Sequence, residues 1–190
     1  MRNPSPSYLT MVAGILLATM LFSCKSDIEK IRELNEAQGL PSLKVRNLNG
    51  RLTERGVASM KVVSPIMLQY GFAEEKYTDF PEGVEFYRYK DSVTLEASVM
   101  ADKAVFWEAK NLWEATGNVR VRNAKGELLE TEKLFWDQNS RKIYTDAWVK
   151  ITNKDMVING EGLTSDETFD SYEIKKVSNS HIYVADKKKQ

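Results

Sequence analysis

Between Met100 and Asp166 the chain repeats one pattern of short apolar alternation, turn and short alternation. A slide of 30 residues lays Lys103-Ala104-Val105-Phe106 on Lys133-Leu134-Phe135-Trp136, and Val119-Arg120-Val121 on Val149-Lys150-Ile151. A slide of 29 carries Leu134 to Leu163 and Leu129 to Ile158, and a slide of 31 carries Ile143 to Ile174. Self-similarity at this spacing marks a supersecondary unit that cannot bury its apolar face alone and stacks on its copies.

The unit is built of strands. After Pro41 the apolar pattern has period two, as in Leu43-Lys44-Val45, Val57 to Leu68, Val84 to Tyr89 and Ser92 to Val99. Turn signals fall at Asn49-Gly50, Arg55-Gly56, Gly71, Pro81-Glu82-Gly83, Lys90-Asp91, Lys110-Asn111, Asn123 to Gly126, Asp137 to Ser140, Asn153 to Asp155, Asn159 to Gly162 and Ser178 to Ser180. Their spacing predicts an all-β fold of about twelve or more short antiparallel strands with no interior helix.

Parity assigns the faces. In Trp113 to Val121 and in Ile143 to Ile151 the odd positions are apolar or small, with Trp148 the exception on the other face. Ala104 with Phe106, Leu134 with Trp136, and Met156 with Ile158 join the apolar side. Such a face makes the core of a closed sandwich or the wall of an apolar groove. Small residues at Ala115, Gly117 and Ala147 leave both readings open.

The first 23 residues read as an export signal: Arg2 supplies the positive start, and residues 9–22 are an apolar run of 14, shorter than the roughly 20 that span a bilayer. Leu21-Phe22-Ser23-Cys24 resembles a bacterial lipobox, Phe22 being bulkier than its usual occupant. Cys24 is the only cysteine, so lipidation explains it better than a disulfide does. Acyl chains on Cys24 would tether residues 24–190 to a membrane. From Ser26 to Gln38 a helix is expected: Ser26 and Glu29 form a capping box, Ile28, Ile31 and Leu34 a narrow stripe, and Gly39 with Pro41 the stop. It is either a stalk or a surface for a membrane partner. Residues 24–42 thus form the anchor and stalk, 43–184 the β domain, and 185–190 a charged tail.

Charge names no partner, because Lys plus Arg equals Asp plus Glu at 27 each; nucleic acid is not expected. One histidine, His181, and one cysteine do not make a zinc site of the usual kind, and no metal or cofactor is expected. Asp102, Glu108, Glu114, Glu132, Asp137 and Asp166 are scattered singly, and no local signature selects a catalytic pair among them. No enzyme is expected.

Taken in order, Ala101-Asp102-Lys103-Ala104, Leu112 to Val119, Gly126-Glu127, Thr131 to Asp137, Ile143 to Asp146 and Gly160 to Leu163 resemble the LptC and OstA-like β-jellyroll family of lipopolysaccharide export. The resemblance covers roughly residues 43–184, with Leu52-Thr53-Glu54 to Tyr70 similar to its first part. It implies an open, twisted jellyroll holding the acyl chains of lipopolysaccharide, received from the membrane subunits of an ABC transporter and passed to a periplasmic bridge jellyroll. The groove candidates are Phe106, Trp113, Val119, Val121, Leu134, Trp136, Val149, Ile151 and Ile158. Neighbours join at strand edges, for which Leu43, Val45, Gly160, Ile174 and Ile182 are the candidates. The expected place is the periplasmic side of a Gram-negative envelope, anchored by lipid, the inner membrane being favoured. One departure stands out: the family typically keeps an N-terminal transmembrane helix, where this chain has the lipobox. The competing reading is a scaffold lipoprotein of the same fold with a closed core.

Overall fold

In the computed structural model the structure describes residues 39–54 and 56–182. The expected lipidated Cys24, the signal segment, the helix from Ser26 to Gln38 and the charged tail lie outside the described residues. The described residues from Pro41 onward form eleven strands: β1 (Leu43–Glu54), β2 (Val57–Tyr70), β3 (Tyr77–Phe80), β4 (Val84–Tyr89), β5 (Leu95–Ala101), β6 (Lys103–Trp107), β7 (Leu112–Asn123), β8 (Leu128–Asp137), β9 (Lys142–Thr152), β10 (Met156–Asp166) and β11 (Tyr172–Ile182). All belong to one antiparallel sheet.

Its topology is simpler than the strand list. The first half of β2 pairs with β4 and the second half with β3; the first half of β7 pairs with β6 and the second with β5. Since β3 also pairs with β6 and β4 with β5, β3 and β4 are two halves of one strand broken at Pro81-Glu82-Gly83. Likewise β5 and β6 are one strand broken at Asp102. The sheet is an up-and-down meander bent along a crease that crosses its strands.

The irregularities mark the crease. Asn47 (φ 52°), Gly83 (φ 103°), Gly117 (φ 77°) with Asn118 (φ 47°), and Gly162 (φ 76°) adopt left-handed backbone, a conformation open mainly to glycine and asparagine. Ladder register slips between Thr116 and Val119, Thr131 and Phe135, and Glu161 and Leu163. These are β-bulges, which bend a strand and deepen its twist. Bending frees backbone groups, and buried side chains satisfy several of them. The Ser64 hydroxyl lies 2.7 Å from the Gly83 carbonyl and 2.8 Å from that of Ile66. Thr131 Oγ1 donates to the Trp148 carbonyl at 2.7 Å, and Thr145 Oγ1 accepts from Ala147 N at 3.0 Å. Ser64, Thr131 and Thr145 are all buried.

The bend produces two arms, one carrying β3 and β6, the other β4 and β5, with side chains from both filling the space between. Leu134, Ile143 and Leu163 of the first arm join Val121, Leu129, Val149 and Ile151 of the second in one cluster. This folded meander has the form of a β-jellyroll. The expected turns at Asn49-Gly50, Asn159 to Gly162 and Ser178 to Ser180 instead lie within β1, β10 and β11. Gly50 pairs with Val62 inside the ladder, Gly162 is a crease bulge, and Asn179 (φ 42°) lies where the β10–β11 register shifts. A turn the sequence pattern did not mark, between β10 and β11, closes part of the side away from the crease.

Candidate functional site

Alternation brings the nine groove candidates to one place. Val119, Val121, Leu134, Val149 and Ile151 are buried in the cluster between the arms, and the half-buried Trp113, Trp136 and Ile158 pack against it. Phe106 joins them by stacking on its cross-strand partner Trp113 at 4.7 Å. An aromatic run links the arms: Trp113 meets Phe86 edge-on at 4.5 Å, Phe80 at 5.7 Å and Trp136 at 6.4 Å. Trp148 faces outward and is 52% exposed, as its parity implies.

Three concavities differ in chemistry. Between the arms lies a void of about 40 Å³ walled by apolar side chains, among them Phe86, Trp113, Leu134, Trp136 and Ile143. At the mouth, opposite the crease, a cavity of about 480 Å³ runs from Leu52, Met60 and Arg88 on one arm to Trp136 and Arg141 on the other. Trp136 borders both spaces. The largest concavity, about 760 Å³, lies at the crease and includes Asn47, Glu85, Met100, Asp102, Asn118 and Arg120. Glu85, Met100 and Arg120 alternate with the inward side chains, so this concavity belongs to the outer face.

The β10–β11 turn spans the rest of the mouth. Asp166 organises it: its carboxylate accepts from Thr168 N at 3.0 Å, Thr168 Oγ1 at 2.8 Å, Asp170 N at 3.1 Å and Ser171 N at 2.9 Å. Burial pushes the Asp166 carboxyl up, but these donors outweigh it and hold the group below its ordinary value. The tightened turn places Phe169 in left-handed backbone (φ 58°) and fully inside. Asn123 Nδ2 donates to the Phe169 carbonyl at 2.9 Å, Lys125 pairs with Asp170 at 2.9 Å, and Arg88 pairs with Glu167 at 2.8 Å. Phe169 stacks on Tyr172 at 5.0 Å, whose hydroxyl is pushed up by burial and by the nearby Glu127 charge. The turn therefore ties one arm to the other. Sequence reading passed over this strap, although Asp166-Glu167-Thr168-Phe169-Asp170-Ser171 has the Asp, Thr and Ser composition of a side-chain-stabilised turn.

Among the edge candidates, Leu43 and Val45 lie in β1, which among the described residues pairs only with β2, and Ile174 and Ile182 lie in β11, which among them pairs only with β10. Gly160 sits one strand in, between Val149 of β9 and Val177 of β11. Val177, on the edge, is 63% exposed. Several of the scattered carboxylates have structural partners: Asp102 accepts from Asn118 Nδ2 at 2.6 Å, Glu114 pairs with Lys133 at 2.6 Å, and Asp137 caps the β8–β9 turn through Asn139 and Ser140. Among the described residues, no group of three or more His, Cys, Asp or Glu is placed to hold a metal ion. His181 is exposed on β11, and no helix of the described residues is long and apolar enough to cross a membrane.

A family model described as lipopolysaccharide-assembly, LptC-related, matches residues 9–182. No curated protein matches the chain significantly.

Proposed function

The chain belongs to the LptC-related family of lipopolysaccharide-assembly proteins, and from that premise we propose that it binds the lipid's acyl chains between its two arms and hands them on. The family places it among the periplasmic transport components of a Gram-negative envelope. The observation that carries the finer reading is the interior itself: an apolar space walled by both arms, reached through a mouth whose floor is Trp136. A void of about 40 Å³ is close to the ~30 Å³ share of one water molecule in the liquid. An acyl chain enters only as the arms part, with the crease as hinge and the Phe169 strap as the tie that yields.

Energy for the passage comes from the transporter's ATP, and this subunit makes no covalent change in the lipid. The free edges β1 and β11 offer unpaired backbone groups, one to the transporter's side and the other to a bridge jellyroll. Acyl chains on Cys24 hold the domain at the inner membrane in place of a spanning helix.

A second reading has its own support. Leu129, Val149, Ile151 and Leu163 are all 0% exposed, as in a scaffold whose core stays shut. Photocrosslinking in living cells separates the two. A photoreactive residue at Phe106 or Ile158, both half-buried on the inner face, is expected to capture lipopolysaccharide, whereas one at Lys150, which pairs outward with Glu130 at 3.3 Å, is not. Silence from both inner positions in a folded, membrane-bound protein would leave the scaffold.

A further inference from the structure

The inward row of β4 ends in a charge. Val84 and Phe86 are buried and Arg88 continues their alternation, opposite Met60, which packs against the core. An apolar residue at that place would extend the wall. An arginine lays its apolar stem on the wall instead and carries its guanidinium out to the mouth. There Arg88 meets Glu96 at 3.4 Å and Glu167 of the strap at 2.8 Å. Lys90 and Arg141 border the same cavity, and among the described residues neither forms an ion pair. Asp91, next to Lys90, is turned into its own loop, where it accepts from Val93 N at 2.9 Å and from Thr94 Oγ1 at 3.1 Å. Three cations thus face two carboxylates at the mouth, and both carboxylates are spent on Arg88. In the neighbouring hollow that Arg141 also borders, Lys142 stands with it against Asp166 and Glu173. The crease concavity has the opposite balance, Glu82, Glu85 and Asp102 against Arg120. In a chain with no net charge, a local positive excess therefore lies where the apolar interior opens.

We propose that the mouth is an oxyanion site of the phosphate class: Lys90 on one arm and Arg141 on the other take the anionic headgroup of the bound amphiphile, and that headgroup competes with Glu167 for Arg88. The inference rests on the acyl-binding reading above and adds the chemistry of the headgroup. An amphiphile whose chains lie against Leu52, Met60 and Trp136 brings its charge to these three side chains. A guanidinium forks onto a phosphate as it does onto a carboxylate, so the exchange leaves Arg88 paired. The side chains of Arg88 and Glu167 are 34% and 19% exposed, which opens the pair to a competitor. A phosphate monoester carries three acceptor oxygens and nearly two charges. It outcompetes the single carboxylate of Glu167 where Lys90 and Arg141 add to the attraction. The exchange releases Glu167, one of the ties that hold the strap across the mouth. Cargo of the right charge thus loosens the closure that it must pass, and an uncharged amphiphile leaves that tie in place.

The ion pair can be broken from either side, and the two breaks separate a tie from a binding site. Glu167→Gln and Arg88→Gln remove the same tie, so a purely structural pair would make both variants shift binding in one direction. As competitor and ligand of the anion they differ in sign. Lipopolysaccharide binding to the full chain, in an uncharged alkyl maltoside, is expected to tighten about 2- to 5-fold with Glu167→Gln. It should weaken by a similar factor with Arg88→Gln, Lys90→Gln and Arg141→Gln, the range of one partly exposed ion pair. Lys90 and Arg141 are exposed, so their variants keep the lipid-free Tm and report on binding alone. With dephosphorylated lipopolysaccharide, Glu167→Gln and Arg88→Gln should shift alike, and Lys90→Gln and Arg141→Gln should have no effect. Shifts of one sign from Glu167→Gln and Arg88→Gln with the intact lipid, or equal binding of the intact and dephosphorylated lipids by the wild type, overturn this inference alone. Inorganic phosphate that binds by itself as tightly as the lipid would make the site one for the free ion and overturns the headgroup assignment. A wild-type chain that binds neither lipid overturns the acyl-binding reading and this inference with it.

Discussion

Gly160 shows how one missing side chain fixes the edge of the sheet. A Cβ built there would meet Ile174 Cγ2 and lie 2.6 Å from the Lys176 carbonyl oxygen. The second obstacle is backbone, so no rotamer change relieves it, and β11 itself would have to move. Its backbone is not left-handed, so the requirement is one of space. Gly160→Ala is expected to cost about 1–3 kcal/mol by overpacking and to weaken β11 first. Denaturant unfolding measures the cost, and hydrogen exchange should show β11 amides losing protection while β7 and β8 keep theirs. Gly117 is constrained twice over, by its φ of 77° and by Asp102 Oδ2 at 2.9 Å from a built Cβ, because the two meet where adjacent strands turn the crease together. At this scale the sequence was readable through parity: Val119, Val121, Val149 and Ile151 alternate so regularly that their common face follows from spacing alone. That the Trp113 and Trp136 indole nitrogens lack an acceptor could not be found so, since it depends on neighbours from other strands.

At the scale of elements, the strap from Asp166 to Ser171 is where pH acts. The folded carboxyl of Asp166 titrates below its ordinary 3.8, so the stability it contributes is complete above the ordinary value and is lost as pH falls through the lowered one. The wild-type Tm should therefore drop below about pH 4, and the Asp166→Asn variant, weaker at neutral pH, should drop less over the same range. Thermal scans from neutral to acid check this, and equal slopes would assign the acid transition to other turn carboxylates such as Asp91 and Asp137, also held below their ordinary values. Elements also explain the repeat near 30 residues. It carries β6 to β8, β7 to β9, β8 to β10 and β9 to β11, two strands onward each time, so that each copy meets the crease at the same height. The repeat was legible because it is a periodicity of hydrophobic residues. The crease was not, because Gly162 and Asn159-Gly160 look like a hairpin turn when only composition is consulted. Bulge and turn draw on the same residues; what separates them is whether the partner strand continues past the glycine.

For the whole molecule, tethering and passage are separable. If Cys24 carries the acyl anchor, Cys24→Ser should abolish incorporation of labelled fatty acid and leave the leader uncut, since acylation precedes cleavage at a lipobox, while the β-sheet circular dichroism is unchanged. Fatty-acid labelling with the size of the chain on a gel checks it, and a variant that is cut like the wild type would overturn the lipid anchor. The folded meander carries a further consequence. Each long strand supplies one rung to both walls, so the width of the trough depends on how far a strand runs from the fold line, and its length only on how many strands lie side by side. The shape is that of a gutter pressed from corrugated sheet, strapped across its mouth by the turn that carries Phe169. A foreign strand laid along β11 and bent at the same height would lengthen the gutter, and the Phe169 strap would then be the one sill at the join.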